Sequence, residues 1–296
     1  TGTTTLGNAT ADSLTFTGGL ATTGNATNPA TFLAAGTINT TNTAADLGAI
    51  TLTAAGQNLT MDTDTGAGNL TIASITGAGG GATNDITLIS GTGTTTVTGN
   101  IATSIDDLTL QEGAATSTGA VALQGNVTAV GLVTFGQAYD VSMTGATVAI
   151  TNDTNFLNTG TTTLGNATAD SLTFTGGLGA VAGAINAAGT INTTNTAADL
   201  GAITLTAAGQ DLTIDTGTGA GNLTIASITG AGGTSNFQLI SGTGTTTVTG
   251  NIGTSINNLT LQEGAASSTG AVALQGNVTA VGLVTFAQAY DVSMTG

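Results

Sequence analysis

The chain repeats itself, and that fact limits its possible folds more than any other. The stretch TGTTTLGNATADSLTFTGGL at Thr1 to Leu20 returns letter for letter from Thr159 to Leu178. AGTINTTNTAADLGAITLTAAGQ at Ala35 to Gln57 returns from Ala188 to Gln210, and GAVALQGNVTAVGLVTF at Gly119 to Phe135 returns from Gly270 to Phe286. The period is about 150 to 158 residues, so whatever supersecondary unit one copy builds, the other builds again. Two long repeats are expected, 1–158 and an incomplete 159–296, the second continuous with the first.

Inside each long repeat a shorter rhythm runs. Apolar residues alternate with Thr, Ala or Ser in Leu14-Thr15-Phe16-Thr17, Ile50-Thr51-Leu52-Thr53, Leu59-Thr60-Met61, Leu70-Thr71-Ile72, Ile86-Thr87-Leu88, Leu108-Thr109-Leu110, Val121-Ala122-Leu123 and Val141-Ser142-Met143. Period-2 alternation is the mark of a strand with one buried face. Clusters of Gly, Asn, Asp and Thr, which favour turns, separate most of these runs, and no helical period competes.

Strands at this spacing suit either an antiparallel sandwich or a solenoid whose coils hold two or three strands each. A sandwich closes at a fixed strand number, whereas this pattern runs on across the long-repeat boundary. Aromatic residues are only 3% of the chain, which suits a thin core of stacked aliphatic layers. Length differences between the copies, around Ala21 to Phe32 and at the extra Gly81, fall in turn-rich segments that a solenoid absorbs without losing register. The 47 glycines suit sharp corners, and the single Pro29 sits in a variable loop where no ladder N–H is lost. The expected fold is all-β, a β-solenoid with coils of roughly 20 to 24 residues.

Composition removes most chemistry. There is no Lys, Arg, His, Cys or Trp. A phosphate clamp needs Arg or Lys, a zinc site normally needs His or Cys, and a Ser nucleophile needs a base. The formal charge of −16 comes from 16 carboxylates with no cation among them, which disfavours nucleic acid and anionic lipid. No apolar run of about 18 residues exists, so no membrane insertion by this segment is expected. The chain reads as a non-enzyme with no cofactor beyond a possible Ca²⁺.

The two copies test whether each acid is wanted for its charge. Asp106-Asp107 becomes Asn257-Asn258, Asp85 becomes Asn236, Asp64 becomes Gly217, and Asn58 becomes Asp211. Asp and Asn share the ability to bond turn backbone, so a turn or ladder role explains the exchange. Retained acids are Asp12/Asp170, Asp46/Asp199, Asp62/Asp215, Glu112/Glu263 and Asp140/Asp291. Oxygen-only ligation would suit calcium, with Asp62, Asp215, Asn84 and Asp85 as the candidate ligands, although neither EF-hand nor nonapeptide spacing is present. The competing reading is solvated turn carboxylates that keep the molecule soluble.

Three other readings carry less. A carboxylate pair such as Asp62 and Asp64 suggests a glycosidase, yet Asp64 is lost in the second copy. Thr-x-Thr triplets resemble ice-binding arrays, but unequal coil lengths spoil the lattice. Asn-x-Thr sequons such as Asn8-Ala9-Thr10 and Asn126-Val127-Thr128 follow from composition. Phe16/Phe174, Phe135/Phe286 and Tyr139/Tyr290 recur at matching places and read as core or corner packing residues.

The segment TNFLNTGTTTLGNATADSLTFTGGL at Thr154 to Leu178 resembles the repeats of giant bacterial surface proteins of the filamentous-haemagglutinin and autotransporter-adhesin kind, and the resemblance covers essentially the whole chain. It implies a right-handed parallel β-helix, export across the envelope to the cell surface, and a stalk or adhesive role. The expected function is an extracellular structural fibre, stalk or sheath segment. Its expected partners are neighbouring repeats of the same chain, with homotypic fibre assembly as a further possibility. The alternatives are an adhesin module for a glycan, surface or neighbouring cell, and a self-assembling filament subunit stacked end to end.

Overall fold

A computed structural model describes residues 3–21, 31–113, 115–232, 235–262 and 267–296. Pro29, most of the Ala21–Phe32 loop and Glu263 lie outside the described residues. The chain divides into unit 1, Thr1–Gly145 with Leu157–Gly160, and unit 2, Ala146–Phe156 with Thr161–Gly296. Each unit is a parallel β-solenoid. Among the described residues there is no helix and every strand pairing is parallel.

In unit 1 each full coil feeds three ladders. The first stacks Leu20↔Ala45↔Leu70↔Thr95↔Val121↔Val141. The second stacks Phe32↔Ile50↔Ile75↔Ile101↔Val127. The third stacks Ser13↔Thr37↔Thr60↔Thr87↔Thr109↔Val133. Unit 2 repeats the third arrangement as Ser171↔Thr190↔Thr213↔Gln238↔Thr260↔Val284. Along this third ladder, coil steps run from 19 residues, Ser171 to Thr190, to 27, Thr60 to Thr87. The spread exceeds the expected 20 to 24 because corner loops take up the difference. The long step contains Gly79 and Gly81, both at positive φ.

The core follows from the alternation. Leu70 and Ile72 point inward and are fully buried, while Thr71 between them is half-buried. Each inward residue lies over its counterpart one coil away, as in Leu47↔Ile72↔Val97↔Leu123↔Met143. Each full burial of such a side chain contributes roughly 1.5–3 kcal/mol. Phe156 and Phe174 meet edge to face at 6.2 Å in unit 2, the favoured geometry for two quadrupoles.

Corners are set by close approach. A Cβ on Gly119 would overlap Gly93 O, and one on Gly125 would overlap the Gly99 carbonyl, so only glycine lets successive corners stack. Side-chain amides do the complementary work, because Asn oxygens accept the N–H groups that corners leave over. Asn69 Oδ1 accepts Thr94 N at 2.9 Å, and Asn222 Oδ1 accepts Thr245 N at 2.9 Å in unit 2.

Candidate functional site

Among the described residues, several of the acids singled out in the sequence accept backbone N–H groups at strand ends and corners. Asp12 Oδ2 accepts Asn8 N at 2.8 Å and Ala9 N at 3.1 Å. Its counterpart Asp170, nearly buried, accepts Asn166 N at 2.8 Å and Ala167 N at 3.0 Å. A carboxylate that accepts two N–H groups of a tight turn replaces the ladder bonds lost there. Retention of this pair between copies therefore has a structural cause.

The four calcium candidates divide in the same way. Asp62 Oδ1 accepts Asp64 N at 2.6 Å and its Oδ2 accepts Asn39 Nδ2 at 3.1 Å. Asp215 Oδ1 accepts Gly217 N at 2.7 Å. Asn84 is fully buried, donates Nδ2 to Ala54 O at 3.0 Å and Gln57 O at 2.7 Å, and accepts Ala78 N through Oδ1 at 3.0 Å. Asp85 Oδ2 accepts Asn58 Nδ2 at 2.8 Å. Asp62 lies across from Ile89, not from Asp85, so the candidates in unit 1 occupy separate columns. Among the described residues no group of three or more acidic side chains is arranged to hold a metal ion. Asp62, Asp64 and Glu112 do line one shallow depression with Thr65, Ile89 and Ser117.

One column has its own electrostatics. Asp85 lies above Asn58 and below Asp107, whose N donates to Asp85 Oδ1 at 3.3 Å. Burial pushes the Asp107 carboxyl above the usual carboxylate range, and Asp106 and Asp85 push it further in the same direction. No cation exists in the chain to offset them. In unit 2 the column reads Asp211, Asn236, Asn257, with Asn236 N and Nδ2 on Asp211 Oδ1 at 2.8 and 3.0 Å and Asn257 Nδ2 on Asn236 Oδ1 at 3.1 Å.

Two buried polar devices escaped the sequence reading. Gln111 stands at positive φ just past its strand, accepts Ser90 N through Oε1 at 2.9 Å, and donates Nε2 to Ser90 Oγ at 3.0 Å and Gly119 O at 2.6 Å. Gln262 repeats this with Ser241 and Gly270. Recurrence of LTLQEG in both copies was the available signal. Tyr139, read as a packing residue, also accepts Phe135 N at 2.9 Å and donates to Leu110 O at 3.3 Å. Its burial raises the phenol pKa.

A concavity in unit 2 is lined by Ala180, Val181, Asp199, Leu200, Thr224 and Thr249 among others. It offers hydroxyls, methyls and one carboxylate, with no base beside a nucleophile. No helix among the described residues is long and apolar enough to cross a membrane. No protein-family model, curated protein or solved structure matches this chain.

Proposed function

We propose that this chain is a structural segment of an extracellular fibre, stalk or sheath, part of a giant bacterial surface protein. The observation that carries the reading is the employment of its polar side chains. Asp12, Asp170, Asp62 and Asp215 and the buried amides of Asn84, Gln111 and Gln262 are spent on the molecule's own corners and ladders, which favours a load-bearing role over a chemical one. Absence of Lys and Arg removes every trypsin site, an advantage outside a cell. The resemblance to surface-protein repeats points the same way.

Limited digestion with an elastase-like protease tests the reading, since Ala- and Val-rich cleavage sites run throughout the chain. Survival of the native chain under conditions that degrade the heat-unfolded chain is expected, because laddered backbone cannot enter a protease cleft. Rapid cleavage throughout would contradict it. Binding of the isolated chain to a glycan or mineral surface, absent with a scrambled control, would favour the adhesin reading instead.

A further inference from the structure

Three successive coils of each unit meet at one edge through corners of unequal length. In unit 1 the strands Ser13–Thr15, Gly36–Asn39 and Leu59–Asp62 stack in the third ladder, and each is entered through a corner. The first corner is residues 7–12 and the third is residues 53–58, but the middle one is Ala35 alone. Unit 2 repeats this with corners 165–170, Ala188 and 206–211. In both units the two long corners close over the short one.

Two ties make the closure. Gln57 Nε2 donates to Asn8 O, and Asn58 N donates to Thr10 Oγ1 at 3.0 Å. In unit 2 Gln210 Nε2 donates to Asn166 O, and Asp211 N to Thr168 Oγ1 at 3.0 Å. These partners are 43 to 49 residues apart, two coil steps, whereas Asn69 and Thr94 are 25 apart and one step. The middle coil is pinned beneath. Gly36 N donates to Asn58 O and Thr37 N to Asp12 O, both at 2.8 Å, and a Cβ on Gly36 would lie 2.3 Å from Asp12 O. Gly189 stands the same way under Asp170. By holding two N–H groups of its own turn, each of the Asp12 and Asp170 carboxylates fixes the arm that reaches across. The block of letter-for-letter identity that starts at Ala35 and Ala188 ends at Gln57 and Gln210, the last side chains of the ties. The next residue, Asn58 or Asp211, takes part through its backbone N–H.

We propose that the corners Gly7–Asp12 and Gly165–Asp170 are clasps, each locking the coil it crosses, so that three coils open together instead of one at a time. A solenoid whose coils touch only their neighbours opens step by step. Here, parting at either interface of the middle coil breaks the same ties, so once one interface has opened the other has lost that support. The load-bearing reading supplies only the use of the clasp, a fixed point of resistance in each long repeat.

The test is native-state amide exchange at low denaturant, read in unit 2 on the strands Ser171–Phe174, Gly189–Asn192 and Leu212–Asp215. In the parent the three should share one opening, their slowest amides agreeing within about twofold. In the double variant T168V/Q210A, which removes both ties, they should separate by about tenfold, the effect of one or two lost hydrogen bonds. T168S keeps the hydroxyl and should match the parent. N222A removes a bond that spans one coil and should leave the three together. T168V and Q210A singly, each with one tie left, should show a smaller separation and serve if the double variant does not fold. Three separate rates in the parent, or variants lacking ties whose strands still open together, would overturn the proposal. A shared opening in a parent chain that an elastase-like protease nonetheless degrades would keep the clasp and remove the load-bearing reading.

Discussion

Thr95 and Thr246 hold the same place in the two repeats, inward on the first ladder and fully buried, yet only one is satisfied. Thr246 Oγ1 donates to Ser241 Oγ at 2.9 Å, whereas Thr95 Oγ1 has no partner. An unpaired buried hydroxyl costs about 1–3 kcal/mol. Thr95→Val, which keeps the shape and removes the hydroxyl, is expected to raise stability by about 1 kcal/mol in urea melts. Thr246→Val should gain nothing or lose a similar amount. Gln111 predicts the opposite sign: Gln111→Leu strands Ser90 N and Gly119 O inside the corner and should cost about 2 kcal/mol or more. Tyr139 adds an alkaline prediction. Its phenol is protonated in the fold and donates to Leu110 O, and its raised pKa means the folded state keeps the proton longer. Stability should fall as pH rises past the ordinary tyrosine value of 10.0, with phenolate absorbance growing together with unfolding. Such residues were hard to see in sequence, because a threonine facing inward and one facing outward occupy the same alternating string. Only the rung above and below distinguishes them.

At the scale of strands and corners, legibility was high where the period stayed at two. The runs at Leu59, Leu70, Ile86, Leu108, Val121 and Val141 all form strands at the expected places. The long strand Ala45–Leu52 was not legible as one element. Leu47 and Gly48 are both buried, so the alternation slips where the strand bends from the first ladder, Ala45↔Leu70, to the second, Ile50↔Ile75. The division of acids into corner caps and a stacked column was visible only as Asp/Asn exchange, since spacing along the chain does not reveal which residues meet across coils. Corner stacking makes a graded prediction for glycine. Gly119→Ala drives a methyl into Gly93 O and is expected to cost more than about 2 kcal/mol. Gly56→Ala meets open space but sits at φ +72°, a cost of about 1–2 kcal/mol. Gly80→Ala, with open space and no positive φ, should fall within about 0.5 kcal/mol of the parent. Denaturant midpoints in that order support corner contact as the constraint.

For the whole molecule the governing quantities are periodicity and charge. Sixteen carboxylates without a cation repel one another by about 0.8 kcal/mol for a pair 5 Å apart in water, and salt screens this. Melting temperature should therefore rise with NaCl. Since the candidate acids occupy separate columns, Ca²⁺ should raise it no more than Mg²⁺ at equal concentration. A calcium-specific rise of more than a few degrees would reinstate a bound ion. The claim beneath all of this is that successive coils lie in parallel register. Spin labels at Asp46 and Ser142 test it most directly within unit 1, because Asp46↔Thr71↔Thr96↔Ala122↔Ser142 is one outward column. Four steps at the inter-strand spacing of about 4.8 Å put those backbones about 19 Å apart despite the long stretch of chain between them. Pulsed electron resonance should give a single narrow distribution near that value, broadened only by the label arms. A centre beyond about 30 Å, or one incompatible with four equal steps, would contradict the stacked coil.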